Sequence, residues 1–72
     1  MDYTVILHEA EEGGYWGEVP SLPGCFSQGE TVDEALKNTS AAIRSHIKAL
    51  RADGQEVPDD RGFLLSRVTV PV

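Results

Sequence analysis

The chain has 72 residues, of which 40% are hydrophobic, and a formal net charge of -6 at pH 7. A chain of this length buries only about 60% of the surface that its unfolded form exposes, so its core is small. The single cysteine excludes an internal disulfide and a cysteine-rich zinc site, and no run of residues approaches the roughly 20 apolar positions of a membrane span. We therefore expect one domain over residues 1–72, in the cytoplasm, away from membranes and without a metal or cofactor.

The acidic residues are concentrated in the first part of the chain. Residues 1–30 contain six acids and no lysine or arginine, whereas residues 31–72 contain six acids and six bases. An acidic surface repels phosphate backbones and attracts basic proteins, so the charge disfavours a nucleic-acid partner and favours a cationic protein. The alternative is that the acidity only keeps a small domain in solution.

The first half of the chain predicts three β-strands. Alternating β-branched and aromatic residues indicate a first strand over Tyr3–His8, and Tyr15–Val19 returns as a second strand. The Gly13–Gly14 pair between them supplies the positive φ that a hairpin turn requires. A short third strand is predicted over Cys25–Gln28.

One long helix follows the strands. Thr31 and Glu34 form a capping box, in which the Thr31 hydroxyl accepts from the Glu34 amide and the Glu34 carboxylate reaches back to the Thr31 amide. Gly54 is suited to end the helix. Apolar positions recur at three- and four-residue steps and predict one buried stripe. Its members are Val32, Ala35, Leu36, Thr39, Ala42, Ile43, His46, Ile47 and Leu50.

After a polar linker over residues 55–62, Leu64–Val70 predicts a last strand. The order β-β-β-α-β defines an α+β fold, in which one helix packs on one face of a three- to four-stranded, mostly antiparallel sheet. The small core and the apolar area of the last strand, with a sheet edge to cover, predict a homo-oligomer, a dimer or a tetramer built as a dimer of dimers.

Cys25 is the one candidate nucleophile of the chain. A thiolate needs a nearby base, and neither His8 nor His46 can be placed beside Cys25 from the sequence. A lone cysteine next to Phe26 is more often a small core residue. The glycine spacing matches no phosphate-binding loop, and the acids of the first turn crowd one loop instead of converging on a metal. A small enzyme that uses Cys25 is therefore a minor alternative.

Two motifs in the first half resemble a known family. Residues 11–16 read EEGGYW and residues 19–36 read VPSLPGCFSQGETVDEAL, after which an alanine-bearing helix continues. This combination resembles the HicB-like antitoxin domain over about Tyr3–Val70. The resemblance implies a truncated ribonuclease H fold, here without the converging acids of an active nuclease. It also implies that the protein neutralises a HicA-like toxin, a small basic ribonuclease that cleaves mRNA, by covering its active site.

The partner surface is predicted on the acidic hairpin and on the exposed face of the second strand. Alternation places Trp16 and Glu18 on one face of that strand; if Trp16 instead packs under the helix, Tyr15 points outward. A large aromatic side chain within a charged rim is typical of protein interfaces. Leu22, held between two prolines, is either core or rim. The predicted partner-binding residues are Glu9, Glu11, Glu12, Trp16, Glu18 and Leu22.

The sequence contains no segment suited to reading DNA. HicB-like proteins often carry a C-terminal helix-turn-helix or ribbon-helix-helix segment, and here Val72 closely follows the predicted last strand. The one long helix carries four bases on its outer face against an acidic first half, which disfavours contact with phosphates. We therefore expect that this chain alone does not bind DNA. A structural protein that only self-assembles is the remaining alternative.

Overall fold

The protein consists of a three-stranded sheet and one helix. A computed structural model describes all 72 residues. The strands are β1 (Ile6–Glu9), β2 (Tyr15–Glu18) and β3 (Phe26–Gly29), and the helix α1 spans Val32–Ala52. The strands pair antiparallel in the order β1-β2-β3. The predicted α+β class is confirmed.

The β1–β2 hairpin turns at the predicted glycine pair. Gly13 and Gly14 have φ angles of 99° and 77°, a region that glycine adopts at little cost. The Ala10 carbonyl accepts from the Gly13 N–H, and the Ala10 N–H donates to the Gly14 carbonyl, both at 3.0 Å. This turn sets a register in which His8 lies directly across from Trp16.

α1 packs on one face of the sheet through small residues. A Cβ atom at Gly17 would lie 2.8 Å from the Thr39 hydroxyl oxygen, so the helix approaches β2 closely there. The Ser27 hydroxyl on β3 donates to the Ala35 carbonyl at 3.3 Å and shares a hydrogen bond with the Thr39 hydroxyl. Since successive residues of a strand face opposite sides, Trp16 lies on the side away from the helix. The arrangement with Trp16 under the helix is excluded.

The core is small and centres on three residues. Only 7 of the 72 residues are buried, which leaves much apolar surface exposed. The predicted helix stripe is wrong at Val32 and Leu36, which are 41% and 43% exposed, because three strands are too narrow to cover the whole stripe. The central residues are Val19, Leu22 and Cys25, and partly buried Tyr3, Val5, Ala42, Ile43 and Leu50 pack around them.

Both ends of α1 have the predicted local signals. Thr31 is the N-cap, and its hydroxyl accepts from the Glu34 N–H at 3.1 Å. The Glu34 carboxylate, however, accepts from the Glu30 N–H at 3.3 Å instead of reaching Thr31, so only half of the predicted capping box forms. At the other end, Gly54 has a φ of 71° and donates to the Arg51 carbonyl at 3.1 Å, in the manner of a Schellman motif.

The predicted last strand, Leu64–Val70, does not form. Residues 63–72, here called the tail, belong to no strand or helix and are exposed throughout. Leu64 is 94% exposed and Val68 is 82% exposed. A segment becomes a strand when its backbone pairs with a neighbouring strand, and this segment has no neighbour within its own chain. The observed order is therefore β-β-β-α.

Candidate protein-binding face

The sheet carries a cluster of aromatic rings on the side opposite α1. The rings of His8 and Trp16 stack with centroids 4.1 Å apart and an interplanar angle of 18°. The Phe26 ring lies 6.1 Å from the Trp16 ring and is the most exposed of the three residues, at 58%. We call the surface formed by His8, Trp16, Glu18 and Phe26 the open face. Exposed aromatic rings with a charged neighbour are a composition that protein interfaces favour.

Glu18 places a carboxylate beside His8 on the open face. Glu18 Oε1 lies 3.4 Å from His8 Nε2, and that nitrogen is buried without a hydrogen-bond partner. The two side chains as a whole are 38% and 33% exposed, so both stay accessible to another molecule.

The acidic hairpin, residues 9–14, continues from one end of the open face. Glu11 and Glu12 are exposed in its turn. Glu9 is exposed as well, but it pairs with Tyr15, and alternation places it on the helix side of the sheet. The only contact in the chain between a carboxylate and a basic side chain is that of Glu18 with His8, so Glu9, Glu11 and Glu12 have no cationic partner within the molecule. Their charge is therefore available to attract a basic protein.

The connector Val19–Cys25 belongs to the core. Two successive turns fold it, since the Leu22 N–H donates to the Val19 carbonyl at 2.9 Å and the Cys25 N–H donates to the Leu22 carbonyl at 3.0 Å. Gly24, with a φ of 85°, allows the second turn. The prediction that Leu22 contacts a partner is wrong, because these turns bury its side chain completely, at 0% exposure.

Cys25 has the environment of a packing residue. It is 4% exposed, and burial raises the pKa of its thiol. A thiol that stays protonated is a poor nucleophile. In addition, no three or more His, Cys, Asp and Glu residues lie close enough together to hold a metal ion. No helix has the length and apolarity that crossing a membrane requires.

Asp60 attaches the linker after α1 to the sheet. Its carboxylate accepts from the Thr4 N–H at 2.9 Å, the Thr4 hydroxyl at 2.8 Å and the Ser21 hydroxyl at 3.1 Å. The Ser21 hydroxyl oxygen in turn accepts from the Arg61 N–H at 3.0 Å. The linker thus returns to the start of β1, and the tail leaves the body of the protein from that point.

These hydrogen bonds make the linker attachment sensitive to acid. The Thr4 N–H, then the Thr4 and Ser21 hydroxyls, hold the pKa of Asp60 below its ordinary value of 3.8. Because the folded pKa is lowered, the contribution of Asp60 to stability is present above pH 3.8 and is lost as the pH falls through the folded value. Asp60→Ala should therefore lower the free energy of unfolding near neutral pH, and the difference from the unsubstituted chain should shrink below pH 3.8.

Denaturant unfolding across this pH range measures the effect of Asp60→Ala. The exposed neighbour Asp59, for which no hydrogen bond to the sheet is found, provides the matched control, and Asp59→Ala should change stability little at any pH. Equal losses for the two variants near neutral pH would contradict the attachment through Asp60.

The fold is that of a small α+β domain, and its open face is acidic and aromatic. The sequence profile of a family described as the HicB-like antitoxin of bacterial toxin-antitoxin systems matches residues 3–65. The chain belongs to this family, as the resemblance in its first half predicts.

Relatives and solved structures agree with this membership. The chain is 48% identical to a UPF0150 protein of Thermoplasma acidophilum over 60 residues, which cover 83% of this chain and 87% of that one. It is 44% identical to a UPF0150 protein of Synechocystis over 59 residues, covering 82% of this chain and 75% of that one.

Among solved structures, the N-terminal domain of the Burkholderia pseudomallei antitoxin HicB is similar with a TM-score of 0.71 and 36% identity, covering 93% of this chain and 74% of that one. A chain of the HicA3 and HicB3 toxin-antitoxin complex is similar with a TM-score of 0.67 and 34% identity, covering 78% of this chain. This chain spans 64% of that neighbour and 48% of the Burkholderia pseudomallei antitoxin HicB.

The structure divides the six predicted site residues among four places, and one of the six, Leu22, lies in the core. Trp16 and Glu18 lie together on the open face, Glu11 and Glu12 lie in the exposed turn, and Glu9 lies on the helix side at the base of the hairpin. Sequence reasoning missed two members of the open face. His8 could have been found from the hairpin register, because the length of the turn decides that His8 lies across from Trp16. Phe26 had no signal in the sequence, because its side of the sheet depends on β3 pairing with β2.

Proposed function

We propose that the protein is an antitoxin that binds and masks a small, basic HicA-like toxin. The observation that carries this proposal is the exposed aromatic cluster of the open face beside an unpaired acidic hairpin, in a chain of the HicB-like antitoxin family. The HicA3 and HicB3 complex among its structural neighbours supports a HicA-like partner. The protein acts by occupying the toxin's surface and has no catalytic step of its own.

The aromatic rings and the acids have different roles in this proposal. Burial of Trp16 and Phe26 under the toxin supplies affinity, because buried aromatic residues dominate the energy of most interfaces. Glu11 and Glu12 supply long-range attraction to a cationic partner, which mainly raises the association rate. Glu18 and Glu9 extend the acidic rim on the two sides of the sheet.

Complex formation with the HicA-like protein of the same genome tests the proposal. Mixed at about 0.1 M salt, where charge attraction still acts over roughly 10 Å, the two proteins should co-elute in size-exclusion chromatography. The toxin should also cease to cleave mRNA when it is bound in the complex. Separate elution at micromolar concentrations would contradict the proposal.

Charge reversal in the hairpin tests the attraction separately. Replacing Glu11 and Glu12 by Lys should lower the association rate with the toxin about tenfold or more at low salt, since electrostatic attraction raises association rates by about 10- to 1000-fold. The dissociation rate should change less, because both side chains lie outside the open face. Stopped-flow or surface-based kinetics at several salt concentrations measure both rates.

The linker offers a matched control for this charge reversal. Glu56 and Asp59 are also exposed, and reversing them to Lys changes the net charge by the same amount. If the two charge-reversed variants slow association equally, the net charge of the protein attracts the toxin and the position of the hairpin acids does not matter.

The proposal also covers location and assembly. An antitoxin of this kind acts in the cytoplasm, where its target cleaves mRNA. It self-associates as a dimer or tetramer, which the small core and the exposed tail support. Any repression of its own promoter requires a DNA-binding element outside residues 1–72.

A further inference from the structure

The tail has the composition of a β-strand, yet it pairs with no strand and is exposed to solvent. In an extended conformation one side of residues 64–70 carries Leu64, Ser66, Val68 and Val70, and the other carries Leu65, Arg67 and Thr69, so the first side is the more apolar. All of them are exposed, although exposed apolar residues in a row are unfavourable in water. The radius of gyration is 14.3 Å, against about 11 Å for a compact chain of this length. The longest dimension is 49 Å and the shortest is 17 Å.

A groove that is apolar, like the tail, lies between the start of the chain and α1. It has a volume of about 660 Å³. Tyr3 and Val5 line one side, and Leu36, Ile43 and Ile47 of α1 line the other. No residue after Arg51 lines it, so the tail leaves the groove of its own chain empty. The first of these sides, lined by residues of the segment Met1–Val5, leads directly into β1, which has β2 on one side and no strand on its other edge.

The tail fits the groove in length and in chemistry. Seven extended residues, 64–70, span roughly 23 Å. The groove runs along α1 from Leu36 to Arg51, a rise of roughly 22 Å. A strand placed there would pair its backbone with the free edge of β1 and would cover the apolar side chains of α1 with its own apolar side.

We infer that two copies of the protein exchange tails, so that the tail of each copy forms a fourth strand in the groove of the other. A second copy is the occupant because the Asp60 and Arg61 contacts fix where the tail begins, and from there it extends away from its own body. The exchange is reciprocal and closes as a two-fold dimer, in which both grooves and both tails are covered. The dimer leaves the open face of each copy uncovered, on the side of the sheet opposite α1.

Tail and groove variants of the full chain test this exchange. Val68→Lys should weaken the dimer roughly 100-fold, because each of the two exchanged tails loses one buried apolar side chain worth about tenfold in affinity. Thr69→Lys is the matched control, since it places the same charge on the other side of the tail, and it should leave dimerisation nearly unchanged. Sedimentation equilibrium over a range of concentrations measures the dissociation constants.

Leu36→Lys tests the groove, because Leu36 lines it. Ala41→Lys is its control, since Ala41 is an exposed helix residue outside the groove. Leu36→Lys should weaken the dimer as Val68→Lys does. Sedimentation equilibrium again measures the dissociation constants.

Each outcome decides the inference. An unsubstituted chain that remains a monomer at about 100 μM would overturn it, since strand exchange should be complete well below that concentration. Equal effects of Val68→Lys and Thr69→Lys would overturn it as well. Circular dichroism shows whether Leu36→Lys still folds. Val68 is 82% exposed, so Val68→Lys should not disturb folding, and the tail variants decide alone if Leu36→Lys does not fold.

Discussion

Gly29→Ala should lower the free energy of unfolding by about 3 kcal/mol, at the upper end of the usual cost of adding atoms to a tightly packed site. Gly29 ends β3 where the first turn of α1 crosses it. A Cβ atom there would lie 2.5 Å from the Ala35 nitrogen and 2.8 Å from the Glu34 carbonyl carbon. Both neighbours are backbone atoms, which cannot move aside as a flexible side chain can. The midpoint of thermal unfolding should fall by roughly 12–24 °C, since each kcal/mol moves the midpoint of a small domain by about 4–8 °C.

Gly62 provides the control for this substitution. A Cβ atom at Gly62 meets no atom within 4 Å, and its φ is not in the positive range. Gly62→Ala should therefore stay within about 0.5 kcal/mol of the unsubstituted chain, as surface changes usually do. Similar losses at both positions would show that the contact between β3 and α1 is looser than the structure indicates.

The elements fixed by local chemistry were predictable from the sequence. The hairpin follows from Gly13–Gly14, and the helix limits follow from Thr31 and Gly54, because each signal acts within a few residues of itself. The capping box was wrong only in its second half. Glu30 and Thr31 both present an amide to the Glu34 carboxylate, and the choice between two adjacent donors depends on how β3 enters the helix.

The features that depend on distant residues were not predictable. Leu22 could be core or rim because its two prolines restrict the loop without fixing what covers it. The segment Leu64–Val70 has the composition of a strand, but a strand needs a neighbour, and composition does not say which chain supplies it. Phe26 joins the open face only through β3 pairing with β2, a contact that its own neighbours in sequence do not specify.

Trp16→Ala should weaken the complex with the HicA-like toxin by roughly 30-fold or more, the loss expected for an aromatic residue at the centre of an interface. Trp16 is central because it contacts both His8 and Phe26, so its ring joins the three aromatic residues into one surface. Isothermal titration of the toxin into each variant measures the loss. Trp16→Phe keeps an aromatic ring and should recover part of the affinity.

A control for Trp16→Ala must separate binding from folding. The ring also stacks on His8, an interaction worth about 1 kcal/mol, so thermal unfolding of the free variant should show a modest loss while the sheet stays intact. Val32, 41% exposed on the first turn of α1, is an apolar residue away from the open face. Val32→Ala should leave toxin affinity unchanged. If Val32→Ala weakens the complex and Trp16→Ala does not, the toxin binds the helix side of the sheet, and the aromatic cluster has another role.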